Sequence, residues 1–390
     1  MLDFNNTQKA FASKSKLELY NAYVLFSTIS NRGFVNFLNS ATGFALKNRL
    51  PLGWAVKPTL YKQFVGGETL ESCSATVENL FRYGIYSVLD YSAEGSGSHE
   101  DVVNSYKETL KSVDYAAKDS RVAFAVFKLS AFIPVEVLDN LTFPGYSLSE
   151  TDKRELDEFK ERVFSVCARA SEKGVRVLID AEDFASQNLF DSVAEEAMKR
   201  FNKQRAVVFH TLQMYRKDRG EYLRKIHKMA VEEGFVAGVK FVRGAYMEEE
   251  RERALRMGYP SPIHDTKEDT DNCYNDGLKY TIENIANFEL FSGTHNYESN
   301  LLLPELMKNA GLERDDKRVF FSQLYGMSDN ISFNLASEGY NVCKYIPYAP
   351  VEKVLPYLLR RARENTSMAG QTGRELALLK TELARRGGVL

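Results

Sequence analysis

The chain has 390 residues, 44% of them hydrophobic and 27% charged, with a formal net charge of −2. That length suits two or three domains, or one barrel with an extra arm, and the apolar content allows a large core. The near-neutral balance argues against a general nucleic-acid binder, which would be basic, and fits a soluble globular enzyme.

The first 70 residues carry no clear strand and read as a helical arm. Lys16 to Phe37 and Asn39 to Leu50 look helical, with a break at Asn31-Arg32-Gly33, and Pro51 to Pro58 makes a turn-rich connection. A rhythm follows. Short β-branched or aromatic apolar runs occur near 84–90, 122–129, 175–181, 206–212, 235–243, 288–294, 317–323 and 340–347. Amphipathic stretches fill most gaps, near 99–118, 151–173, 186–202, 218–233, 267–287, 299–310, 329–338 and 354–365. The strand runs are apolar on successive positions, as in Val175-Arg-Val-Leu-Ile, which suits parallel strands covered on both faces. Eight such units point to an α/β fold of the (β/α)8 barrel type, not a doubly wound sheet. Pro356 is expected only in the first turn of a helix, which would place the start of the eighth helix near Val354. Thr372-Gly-Arg-Glu375 resembles a capping box opening a last helix, Arg374 to Arg386, which Gly387 and Gly388 stop. The expected division is an arm over 1–70, a barrel over 71–368 and a C-terminal helix over 369–390.

Cys73, Cys167, Cys273 and Cys343 lie far apart without a CxxC pair, as buried thiols in a reducing compartment would. No apolar run reaches the roughly 18 residues a membrane span needs. The N-terminus, Met1-Leu-Asp-Phe-Asn-Asn, has no signal or transit pattern. A cytoplasmic protein is expected, with peripheral contact at the inner membrane left open. An apolar patch on the arm or the last helix would serve such contact, but internal packing is the expected use of both.

Functional groups of such a barrel collect where strands end at their C-terminal side. Polar residues recur there: Lys128, Asp180-Ala-Glu182-Asp183, His210 to Gln213, Lys240 to Tyr246, Thr294-His295-Asn296, Gln323 to Tyr325 and Lys344 to Tyr348. A lone histidine would be an ordinary core group; seven polar strand ends together indicate a site. No strand–GxGxxG–helix unit exists, so a dinucleotide bound in the Rossmann manner is disfavoured. His210, His295 and Asp180 lie on different strands without a paired-ligand motif, so no metal is expected. Lys128 leaves a Schiff-base lyase or aldolase open as a rival class, and a non-catalytic ligand sensor is a third. The surplus of Arg, Lys, Gln, Thr, His and Asn suits a large polar cofactor over the barrel mouth, and Tyr246, Tyr348 and Tyr357 could wall a small apolar ring.

One segment is the most specific: Tyr357-Leu-Leu-Arg-Arg-Ala-Arg-Glu-Asn365. Helical offsets put Tyr357, one or both of Arg360 and Arg361, and Glu364 on neighbouring positions. A held arginine pair grips a carboxylate or phosphate. Taken alone, the plainer reading is a solvated basic patch near a helix C-terminus.

Val242-Arg-Gly-Ala-Tyr246, Gly293-Thr-His-Asn296, Gln323-Leu-Tyr-Gly-Met-Ser328, Tyr345-Ile-Pro-Tyr-Ala-Pro350 and the arginine segment together resemble the proline dehydrogenase family. Lys128-Leu-Ser-Ala131, Ile179-Asp-Ala-Glu182 and Asp269-Thr-Asp-x-x-Tyr-Asn275 extend the resemblance, which runs from about residue 125 to 370 in the family's order. It implies a modified (β/α)8 barrel holding FAD, and oxidation of L-proline to 1-pyrroline-5-carboxylate with re-oxidation by a membrane quinone. Arg360, Arg361 and Lys128 would pair the substrate carboxylate, Asp180 would orient Lys128, and Tyr246, Tyr348 and Tyr357 would enclose the ring. Gln213, Lys240, Val242, Gly244, Ala245, Thr294, His295, Asn296 and Gln323 would contact FAD. Arg243 and Lys267 would serve its pyrophosphate or adenosine end, and Glu364 would anchor an arginine. Some relatives join this barrel to an aldehyde dehydrogenase domain; here the expectation is a monofunctional chain whose product passes to a separate pyrroline-5-carboxylate dehydrogenase.

Overall fold

The computed structural model describes residues 2–29, 33, 56–92, 97–143, 145–367 and 369–388, with backbone alone over 362–367 and 369–372. Eight strands close a barrel in sequence order: β1 Ile85–Tyr91, β2 Val122–Lys128, β3 Arg176–Asp180, β4 Val208–Gln213, β5 Ala237–Val242, β6 Phe288–Gly293, β7 Val319–Leu324 and β8 Val342–Tyr348. Every expected strand is present with ends within two residues of the sequence reading. Helices of eight residues or more are α1 Lys16–Ile29, α2 Ser74–Phe81, α3 His99–Lys118, α4 Val135–Thr142, α5 Glu150–Lys173, α6 Gln187–Phe201, α7 Arg219–Glu233, α8 Met247–Met257, α9 Lys267–Glu283, α10 Tyr297–Asn309, α11 Asp329–Ser337, α12 Val351–Ser367 and α13 Ala369–Arg385. The strand–helix rhythm did not call for α2, α4 or α8. The helix expected over Asn39–Leu50 lies outside the described residues. None of the described helices is long and apolar enough to cross a membrane. The chain divides into two compact units, residues 95–322 and residues 1–94 with 323–390.

In residues 95–322 the strands pair in parallel, with Phe124 opposite Arg176, Leu178 opposite Phe209, and Lys240 opposite Phe291. Alternation then sends these side chains to the inner face and their neighbours to the helix layer. The Phe124 ring meets Phe209, Phe291 and Phe320 edge-on at 5.3, 5.0 and 5.0 Å. Arg176 lies over Phe124 and Phe320 and pairs with Glu289 at 3.1 Å, so the half-buried guanidinium keeps a counter-charge. This aromatic plug fills the barrel and leaves the opposite strand ends for polar groups.

In the other unit the arm shares one core with the last two helices: Leu19, Ala22, Phe26 and Ile29 of α1 pack with Val354, Tyr357 and Leu358 of α12 and Leu378, Leu379 and Leu383 of α13. Two expectations are corrected here. Helix α12 starts at Val351, where the Pro350 carbonyl accepts the Lys353 and Val354 N–H groups at 3.0 and 3.1 Å, so Pro356 sits inside the helix. Burial of Val351, Val354, Leu355 and Leu358 offsets the hydrogen bond that Pro356 removes. Helix α13 starts at Ala369, so Thr372-Gly-Arg-Glu375 is no capping box. Instead, the Glu375 carboxylate accepts the Ser328 N–H at 3.3 Å. It lies in a buried charge cluster in which Asp329 takes Lys344 at 2.9 Å and Lys14 at 3.3 Å.

Burial and the nearby Asp329 charge push Glu375 from 4.5 up to about 7, against the pull of Lys344 and Lys14. A carboxyl whose folded value is raised binds its proton more tightly in the native state, so its contribution to stability falls as pH rises from 4.5 to about 7. Glu375→Gln is therefore expected to raise Tm at about pH 8, by the equivalent of roughly 3 kcal/mol, and to lose that advantage below about pH 4. Thermal melts across pH check this; a Tm difference that does not depend on pH would refute it.

Candidate active site

Lys128 ends β2 in register with Asp180 at the end of β3, and both belong to the inner face. The Asp180 carboxylate also takes the Lys240 ammonium from β5, a partner the sequence reading did not assign. Lys240 is buried, in register with Thr211, and stands 5.9 Å from the centre of the Phe291 ring. A buried ammonium is tolerable only with such a counter-charge. Three strand ends thus place two lysines and one carboxylate together, and a further cation or anion there would be read by fixed charges in a water-poor setting.

Two side chains quoted in the sequence motifs, but given no role there, tie these ends together. The Glu182 carboxylate accepts the Ser130 N–H at 3.0 Å and the Ser130 hydroxyl, joining the turn after Lys128 to the turn after Asp180. The Glu182 carbonyl accepts the Gln213 side-chain amide at 2.9 Å, which orients that amide at the end of β4. Burial pushes the Glu182 carboxyl up, countered by its Ser130 hydrogen bonds and by Lys128. The signal was present as two short motifs, but linear spacing does not say that they meet.

Arg243 is held on every side. Its Nε donates to Asp271 at 2.7 Å, Nη1 to the Thr294 hydroxyl at 2.6 Å and Nη2 to Ser299 at 3.0 Å, with the Tyr274 ring 4.5 Å away. Lys267, exposed, pairs with the same Asp271. Two cations around one carboxylate hold Asp271 below the usual carboxylate range despite its burial. Thr294 also accepts the Asn296 N–H at 3.0 Å, and the Asn296 side chain caps α10 by accepting from the Ser299 N–H at 2.9 Å. His295 is half-buried between them, and Val242 is half-buried at the end of β5. Gly244 and Ala245 are exposed, and Gly244 takes φ +130°, where an added Cβ would lie 2.5 Å from the Tyr215 ring. No other residue fits that position.

In residues 1–94 with 323–390, Tyr348 ends β8 fully buried, its ring 5.5 Å from that of Tyr91. Tyr357 of α12 is buried, and the Arg361 guanidinium lies 5.3 Å from the centre of its ring, the expected result of a four-residue offset. Arg360 and Arg361 are both half-buried, as a gripping pair must be and a solvated basic patch need not be. The side chain of Glu364 lies outside the described residues.

Three polar residues counted at strand ends leave the mouth. His210 alternates with the inward Phe209 and Thr211, so its ring faces the helix layer, where Nε2 meets Asp191 at 2.7 Å and Asp191 takes Arg219 at 2.9 Å. That direction also ends any metal set combining His210 with Asp180. Lys344 pairs with Asp329 and donates to the Met327 carbonyl at 2.6 Å. The Gln323 side-chain oxygen accepts the Ser332 hydroxyl of α11 at 2.7 Å. Gln323 alternates with Phe320 and Ser322, so its side chain turns toward the helix layer.

A family model described as proline dehydrogenase matches residues 73–374. The chain is 34% identical to proline dehydrogenase 2, mitochondrial, of Arabidopsis thaliana over 378 residues, covering 85% of this chain and 78% of that protein. It is 35% identical to the carbapenem antibiotics biosynthesis protein CarD of Pectobacterium carotovorum subsp. carotovorum, covering 83% of each. Among solved structures it is similar to proline utilization A (PutA) from Bdellovibrio bacteriovorus inactivated by N-propargylglycine, with TM-score 0.73 and 21% identity. That likeness shows the fold; it covers 95% of this chain, which spans 40% of the larger protein.

The Asp180–Lys240 pair makes a direct test. Asp180→Asn leaves a buried ammonium without its carboxylate and is expected to cost about 3–5 kcal/mol of stability, read as a lowered Tm. Asp180→Asn combined with Lys240→Met is expected to recover most of that loss; strictly additive losses would show that the two side chains do not depend on each other.

Proposed function

This chain belongs to the proline dehydrogenase family, and from that membership we propose that it oxidises L-proline to 1-pyrroline-5-carboxylate, with FAD as the hydride acceptor and a membrane quinone as the final oxidant. The observation that carries the reading is a family match that extends over residues 73–374, a range that includes the arginine pair of α12. The product is the substrate of a pyrroline-5-carboxylate dehydrogenase, the partner the chemistry requires.

The donor set supports a flavin. An oriented amide (Gln213), a buried ammonium (Lys240) and a fixed guanidinium beside a hydroxyl (Arg243, Thr294) stand at the ends of adjacent strands β4 to β6. Such donors suit the acceptor-rich edge of a flavin ring and the charge of a diphosphate. When bound, FAD supplies a two-electron acceptor for the hydride that leaves the proline carbon next to nitrogen. We assign Gln213, Lys240, Val242, Gly244, Ala245, Thr294, His295 and Asn296 to holding it. Arg243 and Lys267 fall toward its phosphate or adenosine end, with Arg243 acting first as the brace of the β5 and β6 ends.

Proline is small, so its carboxylate supplies most of the recognition. We assign Arg360 and Arg361 to a bidentate grip on that carboxylate and Lys128 to a third positive charge, with Glu364 steadying the arginines. Tyr246, Tyr348 and Tyr357 wall the pyrrolidine ring and exclude water, which strengthens each charge contact. Asp180 then has two duties: neighbour of Lys128 and counter-charge of Lys240. Holding the ring rigidly brings the reacting carbon into line, which is where catalysis by orientation arises.

Anaerobic addition of proline is expected to bleach the visible flavin spectrum of the purified protein; a yellow protein that proline leaves unbleached would refute the proposed reaction. Arg360→Met and Arg361→Met are each expected to raise the KM for proline by about tenfold to a hundredfold while the flavin stays bound. An unchanged KM in both would remove the grip assignment. His295→Ala is expected to act elsewhere, by lowering the flavin retained through gel filtration.

A further inference from the structure

Helix α8, Met247–Met257, begins directly after Tyr246 and buries almost nothing apolar. Its buried residues are Glu250 and Ala254, while Met247, Leu255 and Met257 are exposed. An eleven-residue helix whose buried residues are an alanine and a carboxylate is an unusual construction, because a buried carboxylate costs stability unless it is bonded. Glu250 is bonded once: its Oε1 accepts the Phe184 N–H at 2.6 Å, from the turn after β3. Its other oxygen is buried with no hydrogen-bond partner among the described residues. Burial pushes the Glu250 carboxyl up, with that N–H, Arg253 and Arg216 pulling it down and Asp183 pushing with the burial.

The same residue reaches Tyr246. The Glu250 N–H donates to the Tyr246 carbonyl at 2.9 Å, closing the first turn of α8. Phe184 serves both ends of the helix. Its N–H takes Glu250 near the start, and its ring meets Tyr259, just past the α8 C-cap, at 5.8 Å while lying 4.8 Å from the Arg216 guanidinium. A second tether of α8 is Arg251, whose guanidinium donates to the His264 carbonyl at 2.7 Å; with so little apolar contact elsewhere, Phe184 is what holds α8 to the β3–α6 turn.

We propose that Glu250 is a positioning residue: through its bond to the Phe184 N–H it seats α8 and so fixes Tyr246 against the substrate ring. The inference rests on the role given to Tyr246 in the proposed function. Glu250 touches neither substrate nor flavin in this scheme. Its carboxylate acts only as an acceptor for one N–H, so the neutral isostere glutamine, whose carbonyl oxygen can take the same bond, should replace it. Alanine should not.

The test compares Glu250→Ala and Glu250→Gln in the full-length flavin-loaded protein. Glu250→Ala is expected to raise the KM for proline about tenfold, with kcat and flavin content within about twofold of the parent. Amide hydrogen exchange over 247–257 should be faster in Glu250→Ala and unchanged in Glu250→Gln, and Glu250→Gln should keep the parent KM. An unchanged KM in Glu250→Ala, with or without faster exchange, overturns the proposal, as does an equal rise of KM in both variants. Should Glu250→Ala not fold, Glu250→Asp, whose carboxylate is drawn back by one methylene, is expected to raise KM in the same direction, and a parent-like KM there overturns it. A parent protein that proline does not reduce would fail the proposed function itself, a result separate from any of these.

Discussion

A parallel strand covered on both faces sends alternate side chains into the barrel and into the helix layer, and nearly every polar group here takes its meaning from that alternation. Lys128, Asp180, Thr211, Gln213 and Lys240 share the inner face through the registers of β2 to β5. His210 lies one residue off and becomes part of the wall, bonded to Asp191. The same rule moves Gln323 out to Ser332. One residue of phase separates a side chain inside the barrel from one in its wall.

Charge is placed at the strand ends at a cost, and the neighbouring groups show how it is met. Lys240 is neutralised by Asp180, and Arg243 by Asp271 with hydroxyl partners for its remaining donors. Side chains pinned in this way lose little further freedom when a ligand arrives, and they need little reorganisation during a reaction. Arg360 and Arg361 on α12 are half-buried beside a buried tyrosine, a setting in which a guanidinium keeps its charge while shedding part of its water.

Stability and positioning are divided among different segments. The aromatic plug around Phe124 and the shared core of α1, α12 and α13 are apolar and close-packed. Helix α8 has a buried carboxylate where those have leucine and phenylalanine. A helix seated by a few hydrogen bonds opens at a lower free energy than one seated by an apolar core. The buried cluster of Lys14, Asp329, Lys344 and Glu375 is a different device: it joins the arm, β8, α11 and α13 through charge and hydrogen bonds.

Residue order alone determined the barrel, because eight apolar runs separated by amphipathic stretches leave few other ways to cover both faces of each strand. It also determined the arginine pair and its tyrosine, since helical offsets are local and need no tertiary information. Tertiary structure decided which polar strand ends face inward, because alternation is counted from a register that long-range pairing sets. It joined Ser130 to Glu182, Asp180 to Lys240 and Phe184 to Glu250, pairs separated by 52, 60 and 66 residues. It also placed Pro356 inside a helix and Glu375 in a charge cluster, where burial against the arm outweighs the local preferences that proline and a capping sequence express. Local signals report what a segment prefers; the partner that completes a buried charge or hydrogen bond arrives from elsewhere in the chain, and only folding names it.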